Sequence, residues 1–236
     1  MCSVANDRRA LRGDIWAVVP IKETAFAKQR LSDRVSPALR QELALAMFED
    51  VLEALVGVPE LKGIAIVTLD PIAADIARRW GAQVWTHGAR DCHTGAVTAA
   101  ADRLAAAGST LLTIPGDVPL VSSADISAVV SAHSTAPAFT IVPAWDERGS
   151  NTIVCSPAAA VPLRFGADSF FPHLAAARSC GLMPTVVRNR AIALDVDEPA
   201  DLAKFMENRS ATRSWTLLDS HRSKWDRASS SVLASQ

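Results

Sequence analysis

Short apolar runs alternate along the chain with longer segments in which apolar residues return every three or four positions. Residues 14–20 (DIWAVVP) form the first run and read as a buried strand. Ser36 then opens a long helix. Pro37 falls in its first turn, and Leu39, Leu43, Ala46, Met47, Val51 and Leu55 recur at helical spacing. Further strands are predicted over 63–69, 83–86 and 110–114, and helices over 71–80, 94–107 and 122–133. This β-α-β-α order predicts an α/β fold with a mostly parallel central sheet and helices on both faces.

The pattern changes after Ala138. Residues 138–144 and 151–156 are both strand-like, with Asp146-Glu147-Arg148-Gly149 between them, which predicts an antiparallel excursion. A helix over 168–180, strands near 185–188 and 191–194, and a helix over 199–206 close the domain. Residues 1–13 read as a polar, basic N-terminal extension and 14–208 as the domain. From Arg209 the chain is rich in Ser and Arg, so 209–236 reads as a tail outside the core, disordered in water. Trp215 and Trp225 leave an alternative, a tail docked on a second subunit of a homodimer.

With 236 residues, about half of them apolar, a full core needs no disulfide staples. The net charge of −1 argues against bulk nucleic-acid binding, which needs a basic excess. No segment approaches the roughly 20 apolar residues of a membrane span. There is no apolar leader at the N-terminus. Cys2, Cys92, Cys155 and Cys180 form no CxxC pair and no zinc spacing. A reducing, cytoplasmic setting is the expectation.

Candidate chemistry gathers where loops leave the carboxyl ends of strands, the usual ligand edge of an open α/β sheet. Lys22, Lys28 and Arg30 follow the first strand and suit a triphosphate, although a solvated basic loop reads the same way. No GxxxxGK[ST] loop is present. Asp117, in Ile114-Pro115-Gly116-Asp117-Val118-Pro119, directly follows another strand. A carboxylate fixed there suits Mg²⁺, while Gly-Asp is also ordinary turn chemistry. Asp195 and Asp197 are alternate residues of an extended segment and so share a face, yet Asp197 also suits a cap for the helix that Pro199 begins.

Ser150, Asn151 and Thr152, with Gly166 and Ser169 downstream, offer hydroxyls and amides to an anionic acid; read blandly, they are caps and turns. His173 follows Ser169 by one helical turn and faces the same way, as an anion contact or as a structural donor. Cys92 lies in a loop beside His93.

Taken in order, WAVVPIK, AKQRLS, GDVPL, DERGSN, FGADSFFPH and LDVDEPADL resemble the CofC/FbiD guanylyltransferases of coenzyme F-420 biosynthesis, from about Trp16 to Phe205. GDVPL alone occurs in many nucleotidyltransferases; the ordered combination is specific. The resemblance implies a Rossmann-like, MobA-like nucleotidyltransferase fold. It also implies transfer of GMP from GTP to 2-phospho-L-lactate, phosphoenolpyruvate or 3-phospho-D-glycerate, with pyrophosphate released and the product passed to a downstream F-420 pathway transferase. By resemblance, Asp117, Asp195 and Asp197 bind Mg²⁺, Lys22, Lys28 and Arg30 face the phosphates, and Ser150, Thr152, Gly166 and Ser169 hold the acid. One departure stands out. Relatives open the helix after the third strand with a Gly-Leu-Asn tripeptide, where this chain has Asp91-Cys92-His93-Thr94. The added polar groups favour 3-phospho-D-glycerate slightly. A sugar-phosphate nucleotidyltransferase or glycosyltransferase, and a non-catalytic nucleotide-binding module, are the alternatives.

Overall fold

The computed structural model describes residues 13–166 and 168–221. The expected N-terminal extension, apart from Gly13, and the end of the tail, Trp225 included, lie outside the described residues.

Seven strands form one sheet in the order β3-β2-β1-β4-β6-β5-β7. They are β1 (Ile15–Pro20), β2 (Leu61–Val67), β3 (Gln83–Trp85), β4 (Thr110–Thr113), β5 (Ala138–Pro143), β6 (Ser150–Ser156) and β7 (Thr185–Val186). β1 pairs in parallel with β2 and β4, β2 with β3, and β5 with β7, while β6 runs antiparallel between β4 and β5. The antiparallel excursion is therefore the β5–β6 hairpin. Its loop is Ala144–Gly149, closed by Ala144 N–H donating to Gly149 O at 2.9 Å.

Helices α1 (Pro37–Val56), α2 (Pro71–Arg79) and α4 (Ser123–Ala132) cover one face, where Phe48, Leu52, Ile76 and Val129 pack on Ala17, Val19, Ile66 and Leu112. On the other face α3 (His93–Ala106) and α5 (Phe170–Ser179) set Val97, Leu104, Phe170 and Leu174 against Val18, Ala65, Leu111 and Ile153. Ala17 and Val19 face one layer and Val18 the other, the two-sided burial that makes such strands uninterrupted apolar runs. No helix among the described residues is long and apolar enough to cross a membrane.

Two expectations need correction. The segment 191–194 is not a strand. Arg190–Ala193 forms a helical turn (α6), because the Asn189 side chain accepts from Ile192 N–H at 2.9 Å and starts a helix instead. The tail does not leave the core at Arg209 either. After α7 (Pro199–Glu207), a further helix α8 (Arg213–Ser220) lies on α1 and buries Ser214 and Leu218.

Asp50 of α1 holds that last helix by its amino end. Its carboxylate accepts from Arg213 N–H (2.8 Å), Ser214 N–H (3.1 Å) and Ser214 Oγ (2.6 Å). Burial raises the Asp50 pKa even so, against those donors. Asp50→Ala strands these donors in a buried place and is expected to cost about 1–3 kcal/mol. A lowered urea midpoint, with faster hydrogen exchange confined at first to 213–220, is the measurement that checks it.

Candidate active site

The crevice lies beyond the carboxyl ends of β1 and β4, where the order 3-2-1-4 reverses direction, the switch point at which such sheets bind ligands. The loop after β1 is pinned early. Thr24 donates through its N–H (2.7 Å) and hydroxyl (2.6 Å) to Asp70, whose other oxygen caps α2. Burial alone would raise the Asp70 pKa, but these donors outweigh it and hold the carboxyl below its usual range. Further along, Lys28 adopts a left-handed backbone (φ 54°), a conformation costing about 1 kcal/mol or more outside glycine. That geometry carries its side chain into the crevice. Gly116 keeps the loop after β4 close, since a Cβ there would collide with the Ile21 side chain.

Lys28 Nζ donates to Asp117 at 2.5 Å and to Asp197 at 2.7 Å. The two aspartates lie 80 residues apart in sequence, in separate loops (117 and 197). Backbone joins these loops, with Val196 N–H donating to Asp117 O at 3.0 Å. Burial alone would lower the Lys28 pKa. The two carboxylates outweigh it and raise the ammonium above its ordinary value. Burial likewise opposes ionisation of Asp197, but Lys28 and, less, Arg30 hold its pKa below the usual range. Asp197 is also free of capping duty. Glu198 is the N-cap of α7, and Asp201 accepts from the Glu198 N–H at 2.9 Å.

Asp195 lies in the same crevice. Its pKa is raised to about 6 by burial, then by the charges of Asp117 and Asp197, with the Asn151 hydrogen bond opposing. Asn151 is the staple of this segment: its amide donates to Ile192 O (2.9 Å), Ala193 O (3.1 Å) and Asp195 (3.1 Å).

Two cavities open from this floor. The larger, about 1080 Å³, is lined by Lys22, Thr24, Lys28, Arg90, Asp91, Asp117 and others. The smaller, about 600 Å³, is lined by Arg30, Cys92, Ser150, Gly166, Ser169 and Asp195 among others. All three expected aspartates, all three expected cations, and Cys92, Ser150, Asn151, Gly166 and Ser169 therefore meet at one cleft. Thr152 and His173 do not. Thr152 is buried behind the lining, its Oγ1 without a hydrogen-bond partner among the described residues. His173 is buried, and both its ring nitrogens are engaged: Nε2 accepts from Arg164 N–H at 2.9 Å, which leaves Nδ1 to donate to Ser150 Oγ at 2.9 Å. It supports Ser150 from behind, in place of the direct contact expected.

Burial depresses the His173 pKa from 6.5 to about 4. A depressed base contributes stability that is present above pH 6.5 and lost as the pH falls toward 4. The loss is expected to reach about 3 kcal/mol across that window. Urea midpoints between neutral and acid pH check it, and His173→Gln should flatten that part of the profile.

The three aspartates do not form a closed cage, for among the described residues no three His, Cys, Asp or Glu side chains are grouped to hold an ion. The site nonetheless fits a divalent cation. Asp117 Oδ1 is buried without a partner among the described residues, and the Asp195 pKa is raised by burial and by its acidic neighbours. Both observations suit a cation at this place.

Sequence reasoning gave His93 no role beyond its place in the departing loop, and passed over Phe165. His93 carried no spacing signal. Phe165 became a wall residue only through long-range contacts, its N–H donating to Thr94 Oγ1 at 2.9 Å.

Residues 15–233 match the family described as Guanylyl transferase CofC like. The chain belongs to the CofC family of guanylyltransferases. It is thus a nucleotidyltransferase, and its relatives fit that class. The chain is 33% identical over 190 residues to the phosphoenolpyruvate guanylyltransferase of Rubrobacter xylanophilus, covering 80% of this chain and 92% of that one. It is 32% identical to the 2-phospho-L-lactate guanylyltransferase of Methanothermobacter thermautotrophicus (83% and 86% covered). To the 3-phospho-D-glycerate guanylyltransferase of Colwellia psychrerythraea it is 29% identical (78% and 88% covered). Among solved structures, a putative nucleotide-diphospho-sugar transferase from Desulfovibrio desulfuricans G20 superposes with a TM-score of 0.71 at 17% identity, over 91% of this chain and 97% of that one. The fold of the CofC chain is thus that of the nucleotidyltransferases, as the resemblance implied, and its mostly parallel sheet is the one the β-α alternation predicted.

Proposed function

We propose that the chain transfers GMP from GTP to a phosphorylated three-carbon acid and releases pyrophosphate, as a step of coenzyme F-420 biosynthesis. The observation that carries this reading is the shared floor of the cleft, where Asp117, Asp195, Asp197 and Lys28 lie between a large cavity and a smaller one. The large cavity suits GTP, with Lys22 and Lys28 toward its phosphates. The small one suits the acid, with the hydroxyls of Ser150 and Ser169 and the Arg30 cation around it. Cys92, His93 and Thr94 add polar groups to that wall, which favours 3-phospho-D-glycerate over phosphoenolpyruvate and 2-phospho-L-lactate. Cys92, Cys155 and Cys180 are free thiols, in keeping with a reducing cytoplasm.

Asp117, Asp195 and Asp197 would hold Mg²⁺, which suits a few carboxylates completed by phosphate oxygens. When bound, Mg²⁺ supplies charge neutralisation at the phosphates. The protein's own groups do the rest. Lys22, Lys28 and Arg30 offset the charge of two anions brought together, and the cleft fixes their approach. A phosphate oxygen of the acid attacks the α-phosphorus in line, and the bond to the bridging oxygen breaks as pyrophosphate departs with the electron pair. A phosphate monoester is already anionic near neutral pH, so no general base is required.

Ser169 Oγ donates to Ser150 Oγ at 3.2 Å, so the two hydroxyls act as a pair. Ser169→Ala is expected to raise the KM of the acid about tenfold and that of GTP far less; equal effects on both would move Ser169 away from the acid. A panel of nucleoside triphosphates against the three acids, scored for pyrophosphate, tests the reading as a whole. GTP with one acid should exceed every other pair. A preference for a sugar phosphate, or GTP binding with no turnover, would favour the two alternatives.

A further inference from the structure

Among the described residues, the two cavities meet along a seam lined by five residues common to both: Lys22, His93, Pro115, Asp117 and Asp197. With nucleotide on one side and acid on the other, the reacting α-phosphorus belongs at that seam. Lys22, Asp117 and Asp197 supply charge there, and Pro115 has no side-chain donor. His93 is the remaining polar side chain.

The structure holds this ring in place. His93 is the first residue of α3, and its imidazole rests on Phe165 with centroids 4.6 Å apart and planes at 58°. Phe165 is fixed in turn by His173, at 5.1 Å and near edge-on, and by Thr94. Burial, and then the nearby Lys22 cation, push the His93 pKa below its ordinary value, although Asp117 opposes them. In either protonation state the ring carries at least one N–H to give.

We propose that His93 is a catalytic donor in GMP transfer, its ring N–H meeting a non-bridging oxygen of the α-phosphoryl group at the seam. The proposal rests on the function proposed above. No proton moves in the step: the acceptor oxygen bonds to the α-phosphorus, the bond to the pyrophosphate oxygen breaks, and the His93 hydrogen bond tightens as charge grows on the equatorial oxygens.

The test compares wild type, His93→Ala and His93→Gln with GTP, Mg²⁺ and whichever of the three acids wild type uses. Loss of one preorganised donor lowers kcat by about 100-fold or more. The Ala variant should show that loss with both KM values within about threefold of wild type. The Gln variant, which keeps an N–H of similar reach, should recover about tenfold of the loss. Unchanged thermal midpoints and unchanged binding of a fluorescent GTP analogue show that the fold and nucleotide cavity are kept. An Ala variant within about threefold of wild-type kcat, a loss carried wholly by KM, or equal losses in Ala and Gln would each overturn the role of His93 alone. A wild-type chain that releases no pyrophosphate with any acid would overturn the functional reading, and His93 with it.

Discussion

Asp117→Asn is expected to lower kcat by about a thousandfold while the chain still folds. The side chain sits in the loop that follows β4, with its two oxygens unequally used. One receives Lys28 and the other is buried without a partner. An amide keeps the shape but removes the negative charge and offers the cation a poorer ligand. Lys28 keeps Asp197 as partner, at 2.7 Å, so the fold loses little. Initial rates of pyrophosphate release at saturating GTP, acid and Mg²⁺ measure the effect. Near-normal turnover with excess Mg²⁺ would take Asp117 out of the reaction.

Lys28→Met should have the largest effect on stability. The Lys28 side chain is 7% exposed and neutralises two carboxylates. Removing one side of a buried ion pair costs about 3–5 kcal/mol, and the low end applies because the Asp197 side chain is 45% exposed. For a domain of this size, about 3 kcal/mol lowers the thermal midpoint by roughly 6–12 °C. The carboxylates left behind should then accept a divalent cation, so Mg²⁺ restores more of the midpoint in the variant than it adds to wild type. Differential scanning calorimetry with and without Mg²⁺ checks both parts. A variant as stable as wild type without metal would show that the ion pairs contribute little.

The parallel half of the fold was legible because β1, β4 and the end of β2 are buried on both faces and read as mostly apolar runs, and because Ser36-Pro37 and Asp70-Pro71 mark helix starts with local chemistry. Segment 191–194 was misread because its alternation, with Ile192 and Leu194 buried, mimics a strand. The decision lay in one side-chain cap from Asn189. Helix α8 was hidden for another reason. Its N-cap, Thr212, and the spacing of Trp215 and Leu218 are visible in sequence, but the partner that satisfies its amino end is Asp50, over 160 positions earlier. The cleft followed the same division. Asp117 was legible as a carboxylate in the loop beyond a strand, and Asp195 and Asp197 as alternate residues of an extended segment sharing one face. That Lys28 bridges them, that Asn151 staples Asp195, and that His173 stands behind Ser150 depend on contacts between distant segments, which no local spacing encodes.

Isotope tracing of the product tests the central claim most directly. Purified chain, Mg²⁺, GTP labelled at the α-phosphorus and 3-phospho-D-glycerate, or in parallel phosphoenolpyruvate and 2-phospho-L-lactate, are combined and followed by mass, with the next pathway transferase added to trap a labile product. The label should leave GTP in step with pyrophosphate release and appear in a species whose mass is that of GMP joined to the acid through a diphosphate. Label found only in free GMP or GDP, or left on the protein, would contradict direct transfer between the two cavities.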